Sequence, residues 1–316
     1  MRLLKIVLFL FLLSLLGSGA YAQNTGFELL TTGPNSEALG LNEATTAYLL
    51  GASNIYTNPA NLAFETSSSF NADYSLWIGD LTNTHAAVHF KRDKGSIAFG
   101  LLASEADDFE LRNRPGPSQG SFSVSYLSLA GAYAYSYKNL AIGATLQFLR
   151  EELYIYDASG YAINAGLSSH WFERKLLVSA TIQNLGEMEL LNNDRTQLPT
   201  LLRGGLNANI FAVGSEDLNF PLSVSLFTDV VFPLNDDSVN DPNDSVSPDD
   251  VYLNVGLSVE AANIITVRGG YKSGESARPF SFGLGVVFNN ITANYSLVPF
   301  ETGFGTVHSI GMGYRF

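Results

Sequence analysis

The stretch FSFGLGVVF, residues 280–288, places Phe280, Phe282, Leu284, Val286 and Phe288 on one face of an extended chain and Ser281, Gly283, Gly285 and Val287 on the other. One face is bulky and apolar; the opposite face is small. A strand of a water-soluble sandwich also alternates, but its solvent face carries many Lys and Glu. A face of small residues suits instead the crowded interior of a narrow barrel whose outside meets lipid.

The same pattern recurs along the chain. Ile291, Ala293, Tyr295 and Leu297 alternate with Thr292, Asn294, Ser296 and Val298, and Val251, Leu253, Val255, Leu257 and Val259 with Tyr252, Asn254, Gly256, Ser258 and Glu260. Fourteen such segments are expected, near 67–79, 84–91, 95–105, 122–137, 139–150, 161–172, 175–185, 201–212, 220–232, 251–262, 264–273, 279–289, 291–299 and 304–316. Aromatics near their ends (Tyr74, Tyr137, Trp171, Tyr271, Tyr295, Tyr314) suit interfacial girdles. With the first strand entering from the periplasm, the inner connections are short, among them KRDK, KN, ERK, AN and NN. The outer ones include DDFELRNRPGPSQG, EELYIYDASG, GEMELLNNDRTQLPT and the acidic residues 235–250. Short and long connections alternate as in outer-membrane barrels. The expected fold is therefore all-β, a transmembrane antiparallel barrel of about fourteen strands with a short N-terminal plug.

Both ends of the chain fit this reading. The final SIGMGYRF, residues 309–316, has to pair with the first strand to close the barrel. It resembles the terminal assembly signal of bacterial outer-membrane proteins, with Ser309, Gly311, Tyr314 and Phe316 at the matching spacings. That resemblance implies the barrel-assembly machinery as a partner, beside outer-membrane lipid. Residues 1–22 combine Arg2 and Lys5 with an apolar run and Ala20-Tyr21-Ala22, the pattern of a cleaved export signal, with Gln23 as the first mature residue. Residues 23–66 then form the plug and 67–316 the barrel, in the outer membrane of a Gram-negative bacterium.

Composition narrows the function. There is no Cys, hence no disulfide, thiolate nucleophile or Cys-ligated metal. Without residues 1–22 the chain carries fifteen basic and thirty acidic residues, a net charge of −15, which excludes nucleic acid as a natural partner. The acidic segment 235–250 holds Asp236, Asp237, Asp241, Asp244, Asp249 and Asp250 but lacks the central Gly and terminal Glu of an EF-hand loop, so it reads as a solvated loop.

Within the plug, EALGLNEA followed by SNIYTNPANLAF resembles the N-terminal signature of PorV/PorQ-type proteins, with Asn58, Pro59 and Ala60 at its core. The FadL-type fatty-acid channels, fourteen-stranded barrels with an Asn-Pro-Ala element, are similar at a greater distance. Asn61 stands where the motif expects Gly. Physically, Pro59 fixes its own φ and biases Asn58 toward extended geometry, which makes a rigid turn seating the plug.

Few residues suggest chemistry. His85, His89 and His170 face the lumen and His308 faces outward. Asp73 and His89 are expected roughly opposite each other across the first hairpin, with Ser75 nearby, yet no nucleophile-elbow motif accompanies them and a satisfied polar pair is the expectation. His85 and His89 would lie about 13 Å apart on a strand, too far to share a metal. Asp73, Arg203, Asp229, Glu260, Arg268, Lys272 and Arg315 are expected on the lumen face as a self-satisfying network. No enzyme, cofactor or metal site is expected. The PorV/PorQ resemblance implies a barrel that assists type IX protein secretion or surface attachment of cargo, through outer-loop anchors such as Phe109, Arg112, Arg114, Tyr154, Tyr156, Phe300 and Phe304. The alternative is a FadL-like channel for hydrophobic small molecules, which needs an apolar internal pocket. The small, polar lumen face favours the former.

Overall fold

A computed structural model describes residues 27–110, 116, 118–214, 220–234, 251–301, 303 and 305–316. The strands are β1 (Ser69–Leu76), β2 (Thr82–Lys91), β3 (Gly95–Glu110), β4 (Ser121–Tyr137), β5 (Leu140–Leu153), β6 (Tyr156–Trp171), β7 (Leu176–Met188), β8 (Leu190–Leu191), β9 (Asp194–Arg195), β10 (Leu201–Val213), β11 (Leu222–Pro233), β12 (Tyr252–Ala261), β13 (Ile265–Lys272), β14 (Phe280–Phe288), β15 (Ile291–Pro299) and β16 (Thr306–Arg315). Fourteen of them form one closed antiparallel barrel; β8 and β9 make a separate small hairpin. Closure runs through β1 and β16 in continuous register from Ser69–Arg315 to Leu76–His308, and Phe316 N–H donates to Ser68 O at 3.0 Å.

The alternation sorts as expected for a barrel in lipid. On β14 Phe280, Phe282, Leu284, Val286 and Phe288 are exposed on the outside, while Ser281 is fully buried inside. The six girdle aromatics are all exposed on the outer surface. On β5 the outward residues run Leu140, Ile142, Ala144, Leu146 and Phe148 before Arg150 and Glu152. With strands rising about 3.3 Å per residue and tilted about 40°, that belt is about 20 Å tall. Short turns lie at one end of the barrel, and Asn263 and Asn289 take the left-handed conformation that Asn tolerates there.

Three connections differ from expectation. Strands β3–β6 continue beyond the belt, so the first four residues of DDFELRNRPGPSQG, through Glu110, and most of EELYIYDASG are strand; β5 and β6 are joined by Tyr154 and Ile155 alone. The segment after β7 folds into the β8–β9 hairpin instead of an open loop. Residues 235–250, the expected export signal at 1–22, Arg112, Arg114 and Phe304 lie outside the described residues.

Residues 27–66 fill the lumen as short helical turns, including Ser36–Gly40, Asn54–Thr57 and Pro59–Phe64. The segment enters near the outer end, where Phe27 packs on Tyr126, and leaves at the short-turn end, where Lys91 Nζ donates to Ala63 O at 2.6 Å and Arg174 to Phe64 O.

Candidate functional site

The lumen is the candidate site, and the contact between plug and wall defines it. Glycines on the inner wall open a track for the plug backbone. A Cβ on Gly270 would fall 2.3 Å from the Leu41 carbonyl carbon, and one on Gly143 would fall 2.5 Å from that of Pro59. Only glycine leaves room for so close a backbone approach.

Along this track four carboxylates, three buried and Glu37 half-buried, bolt plug to wall. Asp73 Oδ1 accepts from Ser36 N–H at 3.0 Å and Ser36 Oγ at 2.7 Å, while Oδ2 lies 3.3 Å from His85 Nδ1. Asp229 Oδ2 accepts from the Thr45 and Thr46 amides at 3.0 and 2.9 Å, from Thr46 Oγ1 at 2.7 Å and from Arg203 at 2.9 Å. From the plug side, Glu37 accepts from Arg268 at 3.0 Å, Asn294 at 2.9 Å and Tyr48 at 3.0 Å. Glu43 accepts from Arg278 at 2.9 Å and Lys272 at 3.4 Å, and Arg203 donates to the Glu43 carbonyl. Burial alone would raise the Glu43 carboxyl, but Arg278, Lys272 and Arg203 overcome it and hold the group at about 2. Glu37, Glu43 and Arg278 gave no spacing signal in the sequence, because their ion-pair partners lie more than 200 residues away.

The Asn-Pro-Ala turn is wholly inside this packing. Asn58 Oδ1 accepts from Ala60 N–H at 3.1 Å, and its Nδ2 donates to Thr46 O at 3.0 Å and Ser168 Oγ at 3.2 Å. Pro59 starts the helical turn 59–64, and Ala60 is fully buried. Asn61 donates to Thr46 O and Tyr48 O, both at 3.1 Å, and accepts from Ser168 Oγ at 2.6 Å. An unbranched Gly at this position could make none of those side-chain bonds.

Two expectations are corrected. Asp73 is paired with His85, not His89, which lies opposite Ser69; the first hairpin is offset by four residues because Ile78–Asp80 forms a helical turn between the strands. Ser75 donates to Ser309 Oγ at 2.7 Å, away from both histidines, so no Ser–His–Asp set assembles. Glu260 and Arg315 share the inward parity of their strands but are exposed at the short-turn rim, outside the buried network.

Nor is the lumen simply small and polar. At its outer end Leu149, Ala158, Ala162 and Met188 form an apolar chamber with Leu198 from the segment after β7, and the chain's own Phe27 fills it. Tyr126, Leu30 and Leu191 pack around the edge, the Phe27 and Tyr126 rings meeting edge to face at 4.8 Å. Residues 189–200 roof the chamber: Glu189 N–H donates to Ser159 O at 2.7 Å, Thr196 Oγ1 donates to Glu151, and Asn184 donates to Pro199 O at 3.1 Å. Deeper in, an enclosed gap of about 20 Å³ among Glu43, Arg203 and Gln183 has room for a water.

Of the outer-loop candidates, Phe109 stacks on Phe122 at 5.4 Å and Tyr154 meets the same ring at 5.9 Å, forming an exposed aromatic group above the lipid belt. Tyr156 is exposed beside them. Phe300 packs on Trp77 beside Leu39, Val298 and Val307 and serves the interior rather than a free surface. At the C-terminus Tyr314 and Phe316 stack at 5.9 Å on the lipid face, Ser309 is buried, and Gly311 faces Asp73.

A closed fourteen-stranded barrel with its lumen filled by an N-terminal segment is the fold of plugged outer-membrane channels. The sequence matches no family model and no curated protein. Among solved structures the chain is similar to the CymD monoaromatic hydrocarbon channel, at 14% identity and TM-score 0.63 over 92% of this chain and 99% of that one. It is also similar to the Pseudomonas putida toluene transporter TodX, at 12% identity and TM-score 0.59 over 90% and 98%. These likenesses establish that the chain shares its plugged-barrel fold with those two proteins.

Proposed function

We propose that the chain is an outer-membrane channel of FadL type that admits small hydrophobic solutes from the cell surface. The observation that carries this reading is the apolar chamber at the outer end of the lumen, filled by Phe27, edged by Leu30 and roofed by residues 189–200. A solute entering it replaces Phe27 and regains the apolar burial that the ring gives up. Residues 36–64 stay as the floor, since the wall glycines and buried carboxylates hold them; the movable parts are residues 27–34 and the roof. The likeness to hydrocarbon channels supports the same reading.

The test is binding of a fluorescent fatty-acid or arene probe to the purified barrel. F27A should raise the apparent affinity, because the competing ring is gone. M188D, which places a charge in the chamber wall, should abolish binding while leaving a heat-modifiable barrel. Absence of binding in both the wild type and F27A would overturn the proposal.

A second reading keeps one observation in its favour. The exposed Phe109–Phe122–Tyr154 group stands above the lipid belt, where a barrel of PorV/PorQ type would meet secretion or attachment partners. If that reading holds, deletion of the gene impairs surface delivery of type IX cargo and Y154A weakens co-purification of the partners.

A further inference from the structure

The short-turn rim of the barrel is electrically lopsided. The end of β2 and the turns joining β2–β3, β4–β5 and β6–β7 hold Lys91, Arg92, Lys94, Lys138, Arg174 and Lys175 against Asp93 and Glu173. Those joining β12–β13 and β14–β15 hold no Lys or Arg, nor does the sequence between β10 and β11. Strands β2 to β7 are consecutive around the barrel, so the basic turns form one arc. In a chain with twice as many acidic as basic residues outside its export segment, that concentration calls for a cause.

Two of the six cations have internal work: Lys91 and Arg174 turn inward to cap the plug carbonyls of Ala63 and Phe64. Arg92, Lys94, Lys138 and Lys175 are exposed, and none is ion-paired among the described residues. Beside them the outer surface carries Tyr135, Tyr137, Trp171 and Phe172, the last 75% exposed. Lys138 Nζ lies 5.3 Å from the centroid of the Tyr137 ring, which sets the cation level with the aromatic girdle. Amphipathic rings of this kind sit at headgroup depth, and Lys and Arg clustered there attract anionic lipid.

We propose that this arc is a docking surface for anionic phospholipid headgroups of the periplasmic leaflet. An acidic polypeptide is the competing occupant, but it needs cations presented to water below the rim rather than alongside lipid-facing rings. The inference requires only that the barrel sits in a membrane, and it is independent of what passes through the lumen.

The chain has two tryptophans, so W77F leaves Trp171 as a reporter inside the arc. The W77F barrel is reconstituted into phosphatidylethanolamine vesicles containing a minor fraction of brominated phosphatidylglycerol or of brominated phosphatidylethanolamine. Quenching of Trp171 should be stronger with the brominated anionic lipid, corresponding to about fivefold local enrichment for each cation that engages a headgroup. Raised salt should erase the difference in the same protein, and R92Q/K94Q/K138Q/K175Q should erase it while the barrel stays heat-modifiable. Equal quenching by the two lipids at low salt would overturn the proposal. So would equal quenching combined with salt-sensitive binding of soluble polyglutamate, which would give the arc to an acidic polypeptide.

Discussion

Gly311 on the last strand lies opposite Asp73 on the first, and a methyl group at position 311 would fall 1.8 Å from Asp73 Oδ1 and 2.4 Å from Ser36 Oγ. The missing side chain therefore lets the closing seam of the barrel and the helical turn Ser36–Gly40 of the plug share one carboxylate. G311A should cost roughly 1–3 kcal/mol, the usual range for overpacking a close-packed interior. Urea titration of the heat-modifiable form checks it, and an unchanged midpoint would mean the seam yields without disturbing the plug.

Glu43 predicts an acid-sensitive plug. Its carboxyl is held at about 2 in the folded chain against an ordinary value of 4.5. A depressed carboxylate contributes stability above its unfolded value and loses it as pH falls through the folded one. The unfolding midpoint of the wild type should therefore drop between about pH 4.5 and 2 more steeply than that of E43Q. At neutral pH E43A should be destabilised by roughly 3–5 kcal/mol, because Arg278 and Lys272 are left buried without their counter-charge. Parallel acid limbs for wild type and E43Q would contradict the assignment.

The C-terminal aromatics give a prediction for assembly. Tyr314 and Phe316 stack on the lipid face and Phe316 also meets Phe90 at 6.3 Å. Y314D/F316D places two charges in that interfacial band, where each costs up to about 1 kcal/mol, and removes both aromatics from the closing end of the barrel. Heat-modifiable protein in the outer-membrane fraction should fall sharply, and normal levels would contradict the account of closure.

The architecture was legible because a period of two and an apolar, lipid-facing outer face recur from strand to strand opposite an inner face with many small or polar residues. Legibility failed where that agreement ends. Above the belt, the outward residues of β5 change from Phe148 to Arg150 and Glu152, so the sequence signal stops while the strand runs on to Leu153. The Asp73–His89 expectation erred by four residues, an even number, so the faces were right and the register was not. The plug contacts were largely hidden, since Glu43 and Arg278 meet across most of the chain. One signal did exist: Gly143, Gly166, Gly270, Gly283 and Gly311 fall on lumen faces, and glycine inside a strand marks close approach of another backbone. The chamber had no such mark, because Leu149, Met188, Leu198 and Phe27 come from four separate elements.

The roof over the chamber can be locked. Thr196 donates to Glu151 across the chamber's outer edge, and the chain has no native Cys. E151C/T196C joined by a short bis-maleimide should stop solute entry, whereas either single variant treated the same way should not. Equal entry with and without the cross-link would show that solute does not pass beneath residues 189–200.

The most direct test of the central claim is the initial rate at which intact cells accumulate labelled fatty acid and labelled single-ring arene, measured with and without the chain and with the cross-linked roof. The channel account predicts a rate above the empty-vector control for at least one of the two solutes, raised further by F27A and returned to control by the cross-link. Rates equal to control for both solutes in every variant, in a strain whose deletion mutant loses surface-attached type IX cargo, would contradict it.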